Sequence, residues 1–490
     1  DGLNTAVGFN AGLNMSTGTQ NTLVGGHAGD NLTTGQFNVA IGTYALTTED
    51  TGSRVVAIGF GALANANNDT DNYNVAVGYN AGNQVTTGTQ NTLIGGLAGD
   101  ALQGGERNVA IGTYALSSED GDGYNVAVGH SALLNQNAGA TAYNVAVGYS
   151  AGTSVTTGTL NTIVGGLAGD ALTIGNSNVA IGHQALTTEV AGDRSVAIGL
   201  NALRYQTNAS TTDVYNVAIG YQAGLSVTTG TDNTILGGLA GDALTTGSLN
   251  VAIGKAALGS EDTGSASVAI GHAALMNQDG SGSIYNVAVG HNAGTSVTTG
   301  AQNTIIGGLA GDALTTGSDN VALGYLSLSN ENTHGRNVAI GKGSLQSQRA
   351  GADAYNIAIG YNAGINVSTG TNQVIIGGNA GVGLTDGANN VAIGRAALQT
   401  AQSDSNNVAI GYAALATQNG AGTAYNTAVG YQAGNDITTG VENVLIGGLT
   451  GDALTTGQYN TAVGHKSLSG EDTGNRNTAL GYKTLEVLNY

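Results

Sequence analysis

The chain contains no Pro, Cys or Trp, and only 9% of its 490 residues carry a charged side chain. Without Cys, neither a disulfide framework nor thiol chemistry is available. Gly accounts for 83 residues, but the lack of Pro and of a three-residue period excludes a collagen-like helix. A disordered chain is excluded as well, because such chains combine low hydrophobicity with high net charge, whereas 41% of these residues are apolar.

Charge and hydropathy limit the possible partners. The chain carries 32 acidic against 12 basic residues, a formal net charge of −20. Because nucleic-acid-binding proteins present a basic face, we expect no nucleic-acid partner. No apolar run approaches the ~18 residues that span a bilayer, so we expect no membrane insertion. The chain begins at Asp1 without an initiator Met and stops at Tyr490. We therefore interpret it as a segment of a longer fibre or as a unit that stacks end to end.

A five-residue phrase, Asn-Val-Ala-(Val/Ile)-Gly, recurs about every seventeen residues. Aligned on its closing Gly, the chain divides into 28 coils, and the first position of the phrase is Asn in 24 of them. Internal periods of this length are typical of solenoid proteins. We interpret residues 1–490 as one repetitive domain of seven four-coil blocks, each about 70 residues long, which begin at Asn4, Asn74, Asn144, Asn216, Asn286, Asn356 and Asn426.

The phrase has the alternation of a β-strand, in which Val75 and Val77 share one face and Ala76 lies on the other. Frequent Gly and β-branched residues at period two argue against helix. The sequence therefore predicts an all-β fold, a parallel β-solenoid (β-roll) of 28 coils of about seventeen residues. At ~4.8 Å per coil, 28 coils would make a rod of roughly 130 Å.

Three expectations concern the inside of a coil. We expect Val75 and Val77 to fill it. We expect the Asn residues that begin successive strands to form an amide ladder; the alternative is that Asn only suits the turn before the strand. The first two coils of a block continue with Ala-Gly, as at 81–82, and the last two with Ala-Leu, as at 115–116. We interpret these as two turn geometries.

The Ala face of the strand is expected to meet a partner chain, because a long exposed apolar stripe usually marks an interface. A large residue replaces Ala in the second coil of every block. We predict that the chains form a homotrimer, intertwined or packed around a common axis. The predicted contacts between chains are Leu23, Leu93, Ile163, Ile235, Ile305, Ile375 and Leu445.

Residues 178–182, Asn-Val-Ala-Ile-Gly, with Ala185 three residues later, resemble the head repeats of trimeric autotransporter adhesins of the YadA type. The segment 91–99 is also similar to repeats of phage tail fibres and related bacterial surface proteins. The resemblance covers the whole chain through a short motif. It implies a left-handed parallel β-roll, a homotrimer, and a place outside the cell or on a virion. The coils here are seventeen residues long, whereas those of the adhesin heads have about fourteen.

Histidine and acidic residues are the candidates for chemistry. His130, His183, His272, His291 and His465 follow the strand-closing Gly, where other coils carry Tyr, Thr or Lys, so we expect exposed surface positions. His27 and His334 are isolated. Acids recur in the third coil of most blocks, and we interpret them as a surface stripe for solubility. These are Glu49-Asp50, Glu119-Asp120, Glu189, Glu261-Asp262, Glu331 and Glu471-Asp472.

Paired catalytic carboxylates must lie within ~5–10 Å of each other, whereas equivalent acids of successive blocks would be about 19 Å apart at four coils per block. An Asp after Ala-Gly in the second coil faintly resembles a calcium-binding repeat, but a turn role fits better. We expect no enzyme activity, metal or cofactor. These Asp residues are Asp30, Asp100, Asp170, Asp242, Asp312 and Asp452.

The fourth coils contain long turns, which we call bulges: residues 65–73, 135–143, 205–215, 277–285, 347–355 and 417–425. Each bulge ends in Tyr directly before the next block's Asn. Either this Tyr packs over the bulge and closes the coil, or the row of Tyr makes weak multivalent contacts with a surface. A cell-surface glycan or protein receptor is the expected partner for such contacts. The residues are Tyr73, Tyr143, Tyr215, Tyr285, Tyr355 and Tyr425.

The sequence thus favours a structural fibre, the shaft of a phage tail fibre or bacterial surface adhesin that mediates attachment to a cell surface. Its expected location is extracellular, on a virion or on a cell surface. The alternative is a self-assembling extracellular filament or matrix protein whose chains stack end to end.

Overall fold

A computed structural model describes residues 2–121, 123–420 and 422–487, which form strands and turns without any helix. Residues 1 and 488–490, at the two ends of the sequence, lie outside the described part. The coils fall into two compact units, residues 1–246 and 247–490, with fourteen strands each. The prediction of an all-β parallel solenoid of 28 coils of about seventeen residues is confirmed.

Each strand comprises only the middle three residues of the five-residue phrase. The strands of the first unit are β1 Thr5–Val7, β2 Thr22–Val24, β3 Val39–Ile41, β4 Val56–Ile58, β5 Val75–Val77, β6 Thr92–Ile94, β7 Val109–Ile111, β8 Val126–Val128, β9 Val145–Val147, β10 Thr162–Val164, β11 Val179–Ile181, β12 Val196–Ile198, β13 Val217–Ile219 and β14 Thr234–Leu236.

The second unit repeats the same arrangement. Its strands are β15 Val251–Ile253, β16 Val268–Ile270, β17 Val287–Val289, β18 Thr304–Ile306, β19 Val321–Leu323, β20 Val338–Ile340, β21 Ile357–Ile359, β22 Val374–Ile376, β23 Val391–Ile393, β24 Val408–Ile410, β25 Thr427–Val429, β26 Val444–Ile446, β27 Thr461–Val463 and β28 Thr478–Leu480.

Within each unit, consecutive strands pair in parallel and in register. In the β6–β7 pair, Thr92 lies opposite Val109 and Leu93 opposite Ala110. Every position of a coil is therefore stacked on the same position of the next one. Surface side chains at one coil position form a column along each unit for the same reason.

The Gly that closes each strand is required by this stacking. It takes a φ between 122° and 145° in all 28 coils, a conformation open almost only to Gly. A Cβ at Gly95 would lie 2.5 Å from the carbonyl carbon and oxygen of Gly112 in the next coil. Coils can approach to strand-pairing distance because neither of these residues has a side chain.

The two faces of the strand are the reverse of our expectation. Ala76 is 0% exposed and faces the inside of its own coil, whereas Val75 and Val77 on either side are only half-buried. The same pattern recurs along the chain, with the middle residue buried in strands β2–β28. The prediction that Val fills the interior and Ala meets a partner was wrong. The inside of the coil is thin, so the small residue fits there.

The seven predicted inter-chain residues are also inside the coil. Each of them is 0–1% exposed within the single chain, so their side chains have no surface to offer a second copy. Methyl groups of Leu93 lie 2.6 and 2.8 Å from where Cβ atoms of Gly82 and Gly99 would be. The large residue thus fills space that two glycines leave empty. The corrected residues are Leu23, Leu93, Ile163, Ile235, Ile305, Ile375 and Leu445.

The Ala-Gly and Ala-Leu coils share one turn geometry, contrary to our interpretation. Gly82 has a φ of 61° and Leu116, at the equivalent place, a φ of 54°. The preceding Ala donates its N–H to the strand-closing Gly in both kinds of coil, at 3.4 Å from Ala81 to Gly78 and 3.2 Å from Ala115 to the carbonyl oxygen of Gly112. The Ala-Gly and Ala-Leu coils differ only in which coil position supplies the core side chain.

The Asn ladder is confirmed, with the backbone as its main partner. The Asn91 N–H donates to Oδ1 of Asn74 in the preceding coil at 2.9 Å. Its own Nδ2 donates across the coil to the carbonyl oxygen of Gly105 at 2.7 Å. Some rungs add an amide–amide bond, such as Asn443 Nδ2 to Asn426 Oδ1 at 3.1 Å. The side-chain oxygen therefore holds one coil to the next, and the side-chain nitrogen closes its own coil.

Replacing Asn161 with Ala is expected to lower the free energy of unfolding by about 3 kcal/mol, because leaving a buried hydrogen-bonding group unpaired costs roughly 1–3 kcal/mol each. The change removes the acceptor of the Asn178 N–H and the donor to the Gly175 carbonyl, both at 2.9 Å. Denaturant unfolding would measure the loss. Thr157→Ala, at an exposed position of the preceding coil, is the control. Equal losses in both variants would contradict a structural role for the ladder.

Candidate functional site

The six Tyr residues that end the fourth-coil turns lie on the surface. Their rings remain half-exposed, and their backbone takes the left-handed conformation, as at Tyr73 with a φ of 51°. The rings are therefore not buried beneath the bulge, and a second molecule could contact them. Their exposed fractions are 51% for Tyr73, 52% for Tyr143, 50% for Tyr215, 58% for Tyr285, 53% for Tyr355 and 58% for Tyr425.

We call the Tyr that ends each fourth-coil turn the closing Tyr. In three blocks an Arg orients it. The guanidinium of Arg54 lies 5.7 Å from the ring centroid of Tyr73 and pairs with Asp71 in the bulge. The side chains are about two-fifths exposed, and ion pairs of that kind contribute little to stability. The ring is thus held in place by a cation–π contact. The equivalent sets are Arg194, Asp213 and Tyr215, and Arg336, Asp353 and Tyr355.

The third-coil acids do not form the surface stripe that we expected. The Glu of each pair is completely buried, whereas the Asp beside it, such as Asp50, reaches the surface. In the sixth block Ala401 stands at the Glu position, and the carboxyl comes from Asp404, which is 1% exposed. Every block thus buries one carboxyl group. The buried Glu residues are Glu49, Glu119, Glu189, Glu261, Glu331 and Glu471.

Glu189 shows what this carboxyl does. Its Oε1 accepts the three consecutive N–H groups of residues 190–192 at 2.8–3.1 Å and the N–H of Asn208 at 3.0 Å. Its Oε2 accepts from Nδ2 of Asn208 at 2.9 Å and from Nε2 of Gln206 at 2.8 Å. Because Gln206 and Asn208 belong to the fourth coil, the carboxylate joins the third-coil turn to the next bulge.

Three of these groups have a shifted pKa. Burial raises the pKa of Glu49, with a smaller contribution from neighbouring Asp50, against the bonds from the Gly52 and Asn68 N–H groups. Burial likewise raises the pKa of Glu331 and Asp404. Burial and hydrogen bonding thus oppose each other at these sites. The carboxyl groups are buried inside the coils, where they accept hydrogen bonds, and they are not placed to contact a substrate.

One group of acids in the fourth block comes close together. Carboxylate oxygens of Glu261, Asp262 and Asp279 lie within 4.8 Å of one another. The Glu261 carboxylate already accepts bonds from the Gly264 N–H at 2.6 Å and from Nε2 of Gln278 at 2.9 Å. Its oxygens therefore serve the turn and the bulge, as in the other blocks, and the group is the local form of the buried carboxyl described above.

The second-coil Asp residues are half-buried in their turns. Oδ1 of Asp30 accepts the hydroxyl hydrogen of Thr47 in the next coil at 2.5 Å, and its Oδ2 lies 2.9 Å from Nδ1 of His27. Burial raises the pKa of Asp242, Asp312 and Asp452. These contacts are those of a turn residue that links coils.

The five His residues after the strand-closing Gly are exposed, as predicted. They belong to what we call the ring column, which consists of the first residue after the strand-closing Gly in every coil. Rings of successive coils stack there, as between His130 and Tyr149, whose centroids are 5.5 Å apart. Sequence reasoning located the histidines but missed the column. Its signal was an aromatic or His at this position in the first coil of all seven blocks.

No family model matches the chain, and no curated protein matches it at a significant level. In the described part of the chain we also find no helix long and apolar enough to cross a membrane.

Proposed function

We propose that this chain is a structural fibre, the shaft of a tail fibre or surface adhesin that mediates attachment to a cell surface. The main support is the use of every coil for stacking: the strand Ala, the ladder Asn and the block carboxyl all hold one coil to the next. Such a solenoid gains stability from each neighbouring interface. Its surface columns then present the same side chains repeatedly along one direction. The adhesin-like strand motif agrees with this role.

We further propose that the fibre self-associates, as a homotrimer, through the outward strand face. This face carries two rows of β-branched and aliphatic side chains, among them Ile94 and Ile111, each 37% exposed. Fourteen coils of three strand residues give an area of roughly 700 Å² per unit. Stable interfaces bury about 800 Å² per partner, so the outward face of one unit is close in area to what such an interface needs. In this proposal the outward face makes the contact between chains that the sequence analysis assigned to the Ala face.

Electron microscopy and mass measurement of the purified chain test this proposal. We expect discrete rods of uniform length and the mass of three chains. Indefinite filaments would instead favour the end-to-end assembly of an extracellular matrix protein. A monomeric mass in dilute buffer, with rods otherwise intact, would contradict the trimer alone.

Attachment through the closing Tyr residues is a separate prediction. Replacing all six with Ser is expected to lower binding to a glycan array or to cells at least tenfold, because weak equivalent sites act together. Circular dichroism should be unchanged, since the rings are half-exposed. The matched control replaces Thr87, Thr157 and equivalent exposed Thr residues with Ala. Unchanged binding of the Tyr variant would show that the bulges are spacers.

A further inference from the structure

The ring column and the position after it differ in charge from the rest of this acidic chain. None of the 32 acidic residues stands at these two positions in any of the 28 coils. Five of the twelve Lys and Arg residues and six of the seven His residues do. An anionic ligand would therefore meet only neutral or basic side chains at these two positions. The five cations are Lys255, Lys342, Arg395, Lys466 and Lys483.

The column is interrupted once in each block. The ring of Tyr79 in the first coil stacks on Phe60 of the preceding coil, with centroids 5.6 Å apart and planes 14° apart. The next coil carries Gly96 at the column position, and a Cβ there would find no atom within 4 Å. The far side of the ring therefore looks onto a gap in the column. Tyr79 itself is 58% exposed.

A gap recurs in each block, but its width varies. An added Cβ would find no atom within 4 Å at Gly378 either, whereas a third-coil ring lies 3.5–3.6 Å from that place at Gly166, Gly308 and Gly448. The column residue of the second coil is Gly in all seven blocks, although His27 contacts Phe9 at 5.4 Å in the first block and narrows that gap. Other exposed first-coil rings are Tyr149 at 60%, Tyr221 at 53%, Tyr361 at 54% and Tyr431 at 55%. With four coils per block, equivalent gaps would be about 19 Å apart within a unit.

The size of the gap fits one saturated six-membered ring. The column residues of the first and third coils are two coils apart, about 9.6 Å. A flat ring in contact on both faces needs about 7–8 Å, since carbon atoms pack at 3.5–4.0 Å, and a puckered saturated ring needs more. The aromatic face is the negative part of its quadrupole and attracts weakly positive C–H groups. The C–H face of a pyranose presents such groups.

We propose that the ring column binds an acidic polysaccharide, with pyranose rings against the open faces of the first-coil rings and carboxylates toward the column's cations. This inference rests on the proposed attachment function and names its ligand class. Lys255, Lys342 and Arg395 are exposed, and no carboxylate lies within 4.0 Å of them among the described residues. Lys483 already pairs with Glu486 at 3.0 Å. Repeated weak sites would act together on one long chain.

Charge spacing favours a polysaccharide over a nucleic acid. Single-stranded nucleic acids also stack on aromatic rings, but their binding grooves follow a phosphate at every nucleotide with positive charge. Here five cations serve the fourteen coils of the second unit, and the first unit has none in these two positions. An ionised carboxylate on some sugars, with neutral stretches between them, matches that sparse pattern better.

Filling the gaps tests the role of the open ring faces. Gly96, Gly166, Gly238, Gly308, Gly378 and Gly448 would all be changed to Tyr, the residue found at Tyr325 in the same position. The full-length variant is expected to remain folded by circular dichroism and to bind hyaluronan, in which uronate and neutral sugars alternate, at least tenfold more weakly. Unchanged or tighter binding would overturn the proposal, because a continuous ring column would then be the better site.

Removing charge tests the cations with a matched control. One full-length variant changes Lys255, Lys342, Arg395 and Lys466 to Gln. The control changes the four cations that lie outside both the ring column and the contacts of the closing Tyr residues, Arg107, Arg204, Arg349 and Arg476, to Gln. We expect about a tenfold loss of hyaluronan binding in the first and less than twofold in the control, since exposed charges are individually weak. Equal losses would overturn the proposal in favour of net charge alone.

Two further probes fix the ligand class. Dextran, a neutral polysaccharide, is expected to bind at least tenfold more weakly than hyaluronan, and equal binding would overturn the role of the carboxylates. Single-stranded DNA that binds more tightly than hyaluronan would overturn the class itself. Intact trimeric rods that bind none of these probes would defeat this inference while the proposed fibre stands; loss of the rods would defeat the fibre itself.

Discussion

Gly95→Ala is expected to lower the free energy of unfolding by about 3 kcal/mol or more, because a backbone conformation open almost only to Gly costs about 1–3 kcal/mol for another residue and the added methyl group clashes. The φ of Gly95 is 136°, and its Cβ would lie 2.5 Å from the carbonyl group of Gly112. That atom belongs to the backbone of the next coil, which cannot turn aside. The measurement is the midpoint of denaturant unfolding, with far-ultraviolet circular dichroism as the signal.

The adjacent residue provides the control. A methyl group added at Gly96 would have no neighbouring atom within 4 Å, and the backbone of Gly96 is not left-handed. Gly96→Ala is therefore expected to change stability by less than about 0.5 kcal/mol, as is usual at the surface. Similar losses at Gly95 and Gly96 would mean that glycine's flexibility matters here and close stacking of the coils does not.

Glu189→Ala is expected to cost about 3–5 kcal/mol, the range seen when one partner of a buried charged contact is removed. The change leaves the N–H groups of residues 190–192 and the N–H of Asn208 without their acceptor. It should also release the bulge that follows, because Asn208 lies within it. Hydrogen exchange of residues 206–215 would rise together with the loss of stability measured by denaturant.

The sixth block suggests the rescue. There Ala401 and Asp404 replace the Glu and the Gly that stand at 189 and 192 in the third block. The double variant Glu189→Ala/Gly192→Asp should therefore recover at least half of the loss. A methyl group of the buried Val214 lies 2.8 Å from the place of a Cβ at 192, so the double variant is made together with Val214→Ala, the residue found at Ala424 in the sixth block. Failure of the rescue, with Glu189→Ala no worse than an exposed substitution, would contradict the role of the buried carboxyl.

Much of the fold follows from the sequence because every coil obeys the same rules. The period of the strand phrase gives the number of coils and their parallel register. Alternation shows that Val75 and Ala76 lie on opposite faces, but it does not say which face is inside. Hydrophobicity favours Val there, whereas the thickness of the coil favours Ala. The distinguishing signal was the pairing of Leu93 with Gly82 and Gly99, which keeps the core volume constant.

The candidate site was harder to predict. A charged residue in a turn normally lies at the surface, so Glu49 and its equivalents were assigned there. Two features of the sequence indicate a buried role. The Glu residues recur at one coil position, and where Ala401 stands at that position, Asp404 supplies the carboxyl group instead. The surface position of the closing Tyr residues left both interpretations of them open. The ring column is formed by contacts between coils. It can therefore be recognised in the sequence only after the register of the coils is known.

The central claim is that identical coils stack in register and repeat their surface features once per block. Cryo-electron microscopy of the purified chain tests it most directly, through the averaged power spectrum along the direction in which the coils stack. We expect a reflection at about 4.8 Å along this direction and a weaker one at about 19 Å, from strand stacking and from four coils per block. The absence of both reflections, or a 4.8 Å reflection without the one at 19 Å, would contradict it.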